Sequence, residues 1–215
     1  MIVFADRVEA GRRLAGQLEF LRSRDVVVLG LPRGGVPVAF EVARALAAPL
    51  DVLVVRKLGV PRQPELAMGA VGEDGARVVN LEVLADAGVG AADFALVERR
   101  ERAALEAQVV RLRQARARLE LTGRTALLVD DGMATGATAR AACLTARQLG
   151  AARVVLAVPV APLAAIQDFP EADAVSCVCT PDPFRAVGAH YRDFSAVTED
   201  AVLDLLYDAA RWAPE

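Results

Sequence analysis

Apolar residues in this chain come in short unbroken runs and do not alternate with polar ones. Five runs, at residues 26–29, 52–55, 126–129, 154–158 and 174–178, are rich in Val, Leu and Ala. Such runs predict strands covered on both faces. Between most of them the apolar spacing lengthens to a helical period, predicting helices at 36–46, 139–149 and 162–169, with Gly150 as the stop after the second. Two more helices are expected at 6–21 and 199–211, with Thr198 as the N-cap of the last. Strand–helix alternation of this kind implies an α/β fold with a doubly wound, mainly parallel sheet flanked by helices.

Two stretches depart from that rhythm. Residues 57–80 open as a loop by their Gly and Pro content and continue as a hairpin, 67–72 against 77–80, around Asp74-Gly75. A mobile loop and hairpin projecting from a sheet edge suits a lid. Residues 91–121 read as one long charged helix with Leu105, Leu112 and Leu119 at heptad spacing. That stripe serves either to pack a solvated helix along one side or to form the arm of a homodimer, and packing is the simpler use. With no internal repeat or low-complexity linker, residues 1–215 are expected to form a single domain.

Composition narrows the class. Hydrophobic residues are 54% of 215, enough for a sizeable core, and the formal charge of −3 argues against a general nucleic-acid binder. No apolar run reaches membrane-spanning length, and Met1 to Arg7 lack the layout of a signal peptide. Cys143, Cys177 and Cys179 lack metal-site spacing with one another or with His190, the sole histidine. Reduced thiols in a cytoplasmic protein are the expectation.

The chemistry concentrates after the apolar run 126–129, where Asp130 and Asp131 stand side by side, followed by Gly132-Met133-Ala134-Thr135-Gly136-Ala137-Thr138 and a helix. Carboxylates at a strand's C-terminal end lie where open α/β sheets bind ligands. Two adjacent like charges call for a cation, donors or a ligand. The small-residue turn and helix mouth offer N–H groups to a phosphate. Acceptors for sugar hydroxyls beside donors for a phosphate describe a phosphorylated sugar site.

A second loop, Gly30-Leu31-Pro32-Arg33-Gly34-Gly35, follows the first run. It is neither a dinucleotide fingerprint nor a P-loop. It sets a guanidinium beside two glycines whose backbone can approach a ligand closely. Arg56 and Lys57, the only lysine, close the second run. Residues 180–194 gather Phe184, His190, Tyr191, Asp193 and Phe194 in a chain that is only 5% aromatic. Core packing and a nucleobase-binding hood both fit this cluster. His190 is expected at a surface or helix end.

The Asp-Asp and Thr135–Thr138 motif, the Leu-Pro-Arg-Gly-Gly turn, Arg56-Lys57-Leu58-Gly59, Gly69-Ala-Val-Gly-Glu-Asp and Thr180-Pro-Asp-Pro-Phe184 together resemble type I phosphoribosyltransferases, in particular one bacterial subgroup. The resemblance implies that Asp130 and Asp131 contact the ribose hydroxyls of phosphoribosyl pyrophosphate. It likewise implies that Ala134, Thr135, Gly136, Ala137 and Thr138 wrap its 5′-phosphate, and that Arg33, Gly34, Gly35 and Lys57 take the pyrophosphate. Asp130, Asp131, Arg33 and Lys57 are then the expected catalytic residues. A hood would stack Phe184 or Tyr191 on the acceptor while Asp193 reads its polar edge. Mg²⁺ is the implied cofactor, carried mainly by the substrate, with Asp130 or Asp131 as its nearest protein oxygen.

Hypoxanthine-guanine enzymes carry an aspartate where this chain has Ala134, so a 6-oxopurine acceptor does not follow from the resemblance. The implied reaction displaces pyrophosphate from the ribose by an acceptor nitrogen, with no identifiable protein base. A non-catalytic sensor of phosphoribosyl pyrophosphate or nucleotides is the competing reading. Retention of Arg33, Gly34, Gly35 and Lys57 favours the enzyme.

Overall fold

In the computed structural model, which describes residues 3–22, 24–114 and 117–211, the runs at 26–29, 126–129 and 154–158 are strands buried on both sides, whereas the run at 52–55 joins the end of one strand to the start of another and the run at 174–178 is a half-buried strand at the sheet edge. Helix α1 (Arg7–Gln17) begins at Asp6, whose Oδ1 accepts from Glu9 N at 2.8 Å, and a short 3₁₀ turn, Glu19–Leu21, completes the segment expected as one helix. Strand β1 (Val26–Gly30) follows, then α2 (Gly35–Leu46) and β2 (Leu50–Val52). Val26 and Val28 join the cluster under α1 and α2, while Val27 and Leu29 join the cluster on the opposite face. Two covered faces leave no polar side to alternate with, which is why these runs read as continuous.

From Val55 the chain builds a separate antiparallel sheet. Its strands are β3 (Val55–Val60), β4 (Gln63–Gly72) and β5 (Arg77–Val79), in that spatial order. The expected loop at the start of 57–80 is therefore largely strand. Gly59 and Pro64, which read as loop residues, mark a close strand crossing instead: a Cβ on Gly59 would stand 2.5 Å from Pro64 O, and the β3–β4 register shifts there. The hairpin end is as expected, with Asp74 and Gly75 both at positive φ between β4 and β5. A short helix that patterning missed, α3 (Leu81–Asp86), is only six residues long and sets just Val83 and Leu84 half-buried against the core, too little for a helical period to be read.

Helix α4 (Ala91–Leu112) is shorter than the 91–121 expected. Leu105 and Leu112 are buried in this chain's own core, and Leu119 lies beyond the helix. The leucine stripe is thus consumed within the chain, which removes the basis for a dimer arm. Residues 115 and 116 of that expected helix fall outside the described residues.

The chain then returns to the parallel sheet through β6 (Thr125–Val129), α5 (Ala137–Gln148), β7 (Arg153–Val160), α6 (Leu163–Gln167) and β8 (Ala174–Cys179), and ends in α7 (Glu199–Ala210). Thr198 caps α7, its Oγ1 accepting from Ala201 N at 3.1 Å. The five-stranded sheet runs β2-β1-β6-β7-β8, all parallel. Because β1 feeds β2 on one side and pairs with β6 on the other, the topological switch falls between β1 and β6. No helix among the described residues is long and apolar enough to cross a membrane.

Candidate functional site

The loops after β1 and β6 meet at that switch. Leu31 N donates to Val129 O at 2.9 Å, tying the first loop to the tip of β6. Gly35 N then donates to Leu31 O at 3.0 Å, closing a tight turn, and the peptide between Pro32 and Arg33 is cis. Only glycine fits where the loops touch. A Cβ on Gly35 would stand 2.5 Å from Val129 O and 2.8 Å from Asp130 Cα, and one on Gly34 would stand 2.1 Å from Asp131 Oδ2. Arg33 is exposed at the crest of this turn.

Asp130 and Asp131 leave the end of β6 as expected, and Asp131 N donates to Asp130 Oδ1 at 2.9 Å. Burial, and then the adjacent charge of Asp131, push the Asp130 carboxyl well above the usual carboxylate range. Burial also raises Asp131, opposed by Arg7, whose Nε donates to Asp131 Oδ2 at 2.8 Å. The sequence pattern did not single out Arg7, which sits 124 residues away in the chain.

After the acids, Gly136 (φ +77) turns the chain into α5, and no side chain caps the helix in a regular N-cap bond. Thr135 Oγ1 approaches Ala137 N at 3.5 Å. Ala134, Thr135 and Thr138 are exposed, Gly136 is buried and Ala137 is half-buried. The helix mouth is open to an anion on its exposed side.

Arg33, Arg56, Lys57 and Thr138 line one cleft of 1170 Å³, walled on the far side by α4 residues including Leu96, Arg100 and Arg111. Lys57 lies on strand β3, correcting its expected place at the opening of a loop. Arg56 Nε is buried without a hydrogen-bond partner among the described residues. The antiparallel sheet thereby brings cationic side chains beside the glycine turn, which patterning alone had assigned to a lid.

The segment 180–194 covers the acid loop, since a Cβ on Gly132 would stand 2.4 Å from Val187 Cγ1. Its members do not all present themselves to a ligand. Tyr191 is buried, its ring tilted against Phe4 and Phe194 at 5.4 and 5.0 Å, and its hydroxyl donates to Asp131 O at 2.5 Å. A ring enclosed in this way has no face for a base, so the stacking expected of Tyr191 gives way to packing. Asp193 Oδ1 accepts from Ser195 N and Oγ, a local turn bond, and not from a position in the cleft. Phe184 is half-buried and stacks on His190, centroids 5.7 Å apart. His190 is buried, not at the surface, and neither ring nitrogen has a partner among the described residues.

Among the described residues no three His, Cys, Asp or Glu side chains are grouped to hold a metal ion. The donor set at the site is two carboxylates.

The family model for the phosphoribosyl transferase domain matches residues 5–193. Two Mycobacterium tuberculosis proteins, provisionally named phosphoribosyl transferases, are each 55% identical over 212 residues, covering 98% of this chain and 48% of theirs. The chain therefore spans about half the length of these curated relatives. A crystal structure of a Thermus thermophilus protein is 43% identical, with a TM-score of 0.89 over 99% of this chain and 100% of that one. A Bacillus anthracis hypoxanthine-guanine phosphoribosyltransferase superposes with a TM-score of 0.50 at 11% identity, over 85% of this chain and 83% of its own, a likeness of fold alone.

Proposed function

The chain belongs to the phosphoribosyl transferase family, and on that premise we propose that it transfers a phosphoribosyl group from phosphoribosyl pyrophosphate to a nitrogen acceptor. The observation that carries this reading is the contact of two loops at the sheet's switch point. Gly34 lies against the Asp131 carboxylate and Gly35 against the backbone of Val129 and Asp130, which sets a pair of acceptors for a diol next to a turn whose backbone can approach an anion.

In this reading Asp130 and Asp131 accept hydrogen bonds from the ribose 2′- and 3′-hydroxyls. The mouth of α5, from Ala134 to Thr138, receives the 5′-phosphate through backbone N–H and threonine hydroxyl groups. Arg33, the Gly34 and Gly35 amides and Lys57 receive the pyrophosphate and stabilise the charge it gains on leaving. The acceptor's nitrogen lone pair forms the new bond to C1. The C1–O bond breaks with its electron pair going to pyrophosphate, and the acceptor's N–H proton passes to solvent. Water must be kept from C1, or the donor is hydrolysed. Phe184, backed by His190, is the ring best disposed to cover a flat acceptor, and we assign Tyr191 and Asp193 to holding the segment in shape.

Magnesium fits this donor set in a limited way. Two carboxylates without a third protein ligand suit an ion that arrives on pyrophosphate oxygens and keeps several waters. Bound there, it would neutralise charge on the leaving group.

Two measurements test the reading. Calorimetric titration with phosphoribosyl pyrophosphate and Mg²⁺ is expected to show binding that the Asp130→Asn, Asp131→Asn double variant loses. Pyrophosphate release is then followed with adenine, guanine, hypoxanthine, xanthine, uracil and orotate. Donor binding without release on any of the six would replace the transferase with a sensor. Full affinity in the double variant would remove the site.

A further inference from the structure

Asp131 is held at both ends by residues outside its own loop. Tyr191 Oη donates to its carbonyl at 2.5 Å, and Arg7 Nε donates to its carboxylate Oδ2 at 2.8 Å. Arg7 is in turn fixed by two further contacts: its Nη1 donates to Ser195 O at 2.8 Å and its guanidinium lies 4.0 Å from the centre of the Phe194 ring. The segment bearing these partners is laced to the chain just before α1. Phe4 N donates to His190 O, Arg192 N to Phe4 O and Asp193 N to Ala5 O, at 2.8, 2.8 and 2.9 Å.

Neither helix energetics nor burial accounts for this arrangement. Arg7 is the first residue of α1, where the positive end of the helix disfavours a cation. The Arg7 and Asp131 side chains are only 11% and 14% exposed, and withdrawing an ion pair from water gives weak net stabilisation at best. What the pair does achieve is geometric. Arg7 occupies Oδ2, the oxygen beside Gly34, and no hydrogen bond from another described residue reaches Oδ1.

We infer that Arg7 is a positioning residue for the sugar-diol site: by engaging Oδ2 of Asp131 it locks the carboxylate against the Gly34 turn and leaves Oδ1 as the acceptor for a ribose hydroxyl. This rests on the donor-binding reading above. A carboxylate held in its binding rotamer loses little freedom when ligand arrives, so the preorganisation appears as donor affinity. Arg7 acts through Asp131 and has no bond to the substrate in this scheme.

The test compares two ligands that share the pyrophosphate group. Arg7→Met keeps the aliphatic packing and removes the donor. It is expected to weaken phosphoribosyl pyrophosphate binding about tenfold, the equivalent of ordering one side chain, while Mg-pyrophosphate, which has no diol, binds within about twofold of the wild type. In an Asp131→Asn background the same substitution is expected to add less than about twofold to the loss. Unchanged donor affinity, equal losses on both ligands, or losses that simply add would each overturn the inference. Should Arg7→Met not fold, Arg7→Leu is read in the same way, since it too offers an apolar stem and no donor to Oδ2. A wild type that does not bind the donor at all overturns the site reading itself, and the role of Arg7 falls with it.

Discussion

Gly34 and Asp131 meet so closely that a methyl group on the glycine would lie 2.1 Å from the carboxylate oxygen Oδ2. That oxygen is the one Arg7 already holds, so the carboxylate can give way only by leaving Arg7. The neighbouring Gly35 faces backbone, with Val129 O and Asp130 Cα at 2.5 and 2.8 Å from a Cβ. The glycine pair thus lets two loops pack in a contact that any larger residue would force open.

Gly34→Ala and Gly35→Ala are therefore expected to differ. Alanine at 34 displaces a side chain and breaks the Arg7–Asp131 pair, so donor affinity falls at least tenfold with a melting-temperature loss of a few degrees, about 1–2 kcal/mol. Alanine at 35 pushes on the backbone of β6 and should cost about 3 kcal/mol or more. Calorimetry and thermal melts on both variants check the contrast. Equal stability for the two would contradict it.

Asp130→Asn should make the protein more stable and less able to bind donor. The Asp130 carboxyl is pushed well above its ordinary value of 3.8, chiefly by burial. The folded state then holds that proton more tightly than the unfolded chain, so ionisation opposes folding at every pH above the raised value. The opposition fades as pH falls toward the unfolded value. Asparagine keeps the oxygen that accepts from Asp131 N. A gain of about 1 kcal/mol, or roughly 2–4 °C, is expected near pH 8, shrinking towards pH 4.5 or so. Melting curves across that range provide the check, and a variant that melts below the wild type near pH 8 contradicts the assignment.

Arg113 ties the two sheets together. Its guanidinium bonds Asp51 Oδ1 of β2 at 2.6 Å and both oxygens of Glu73, beyond β4, at 2.8 Å. Asp51 and Glu73 are 0% and 3% exposed in this cluster. Arg113→Met would leave two buried carboxylates unpaired, at a cost of about 3–5 kcal/mol and a melting-temperature fall on the order of 10 °C. A fall under about 2 °C in a melting experiment would show that the cluster is not what fastens the antiparallel sheet.

The thiols should be inert. Burial pushes Cys143 up to about 12 and Cys177 up to about 11, and raises Cys179 as well. With thiolates the reactive species, native protein near pH 7.5 should label with a thiol reagent at least about tenfold more slowly than protein in denaturant. Rapid native labelling at Cys143 would mean that α5 opens away from the sheet.

Much of this was legible in linear order. The runs at 126–129 and 154–158 became β6 and most of β7, and Thr198 caps α7 as expected. The acid pair, the glycine turn and the helix mouth could be found because each lies within one short stretch. Residues 57–65 misled, because Gly59 and Pro64 promote loops in general but here permit a close strand crossing. The Leu105 and Leu112 stripe carried the same period whether it faced a partner or its own core. Tyr191 looked like a base platform until its ring proved enclosed by Phe4 and Phe194.

The amino-acid sequence by itself determined the alternation of strands and helices, and the two loops whose local composition carries chemistry, since period, turn residues and adjacent charges are properties of neighbouring positions. Only the tertiary structure decided that Arg7 grips Asp131, that Arg113 joins two sheets, and that the aromatic cluster is partly packing. Those outcomes depend on contacts between residues distant in the chain, from 40 positions for Arg113 and Glu73 to 124 for Arg7 and Asp131 and more for Phe4 and Tyr191. No local pattern encodes which distant partner will satisfy a buried charge. Chain topology does, by bringing the start of α1, the tip of β6 and the segment after β8 to the same edge of the sheet.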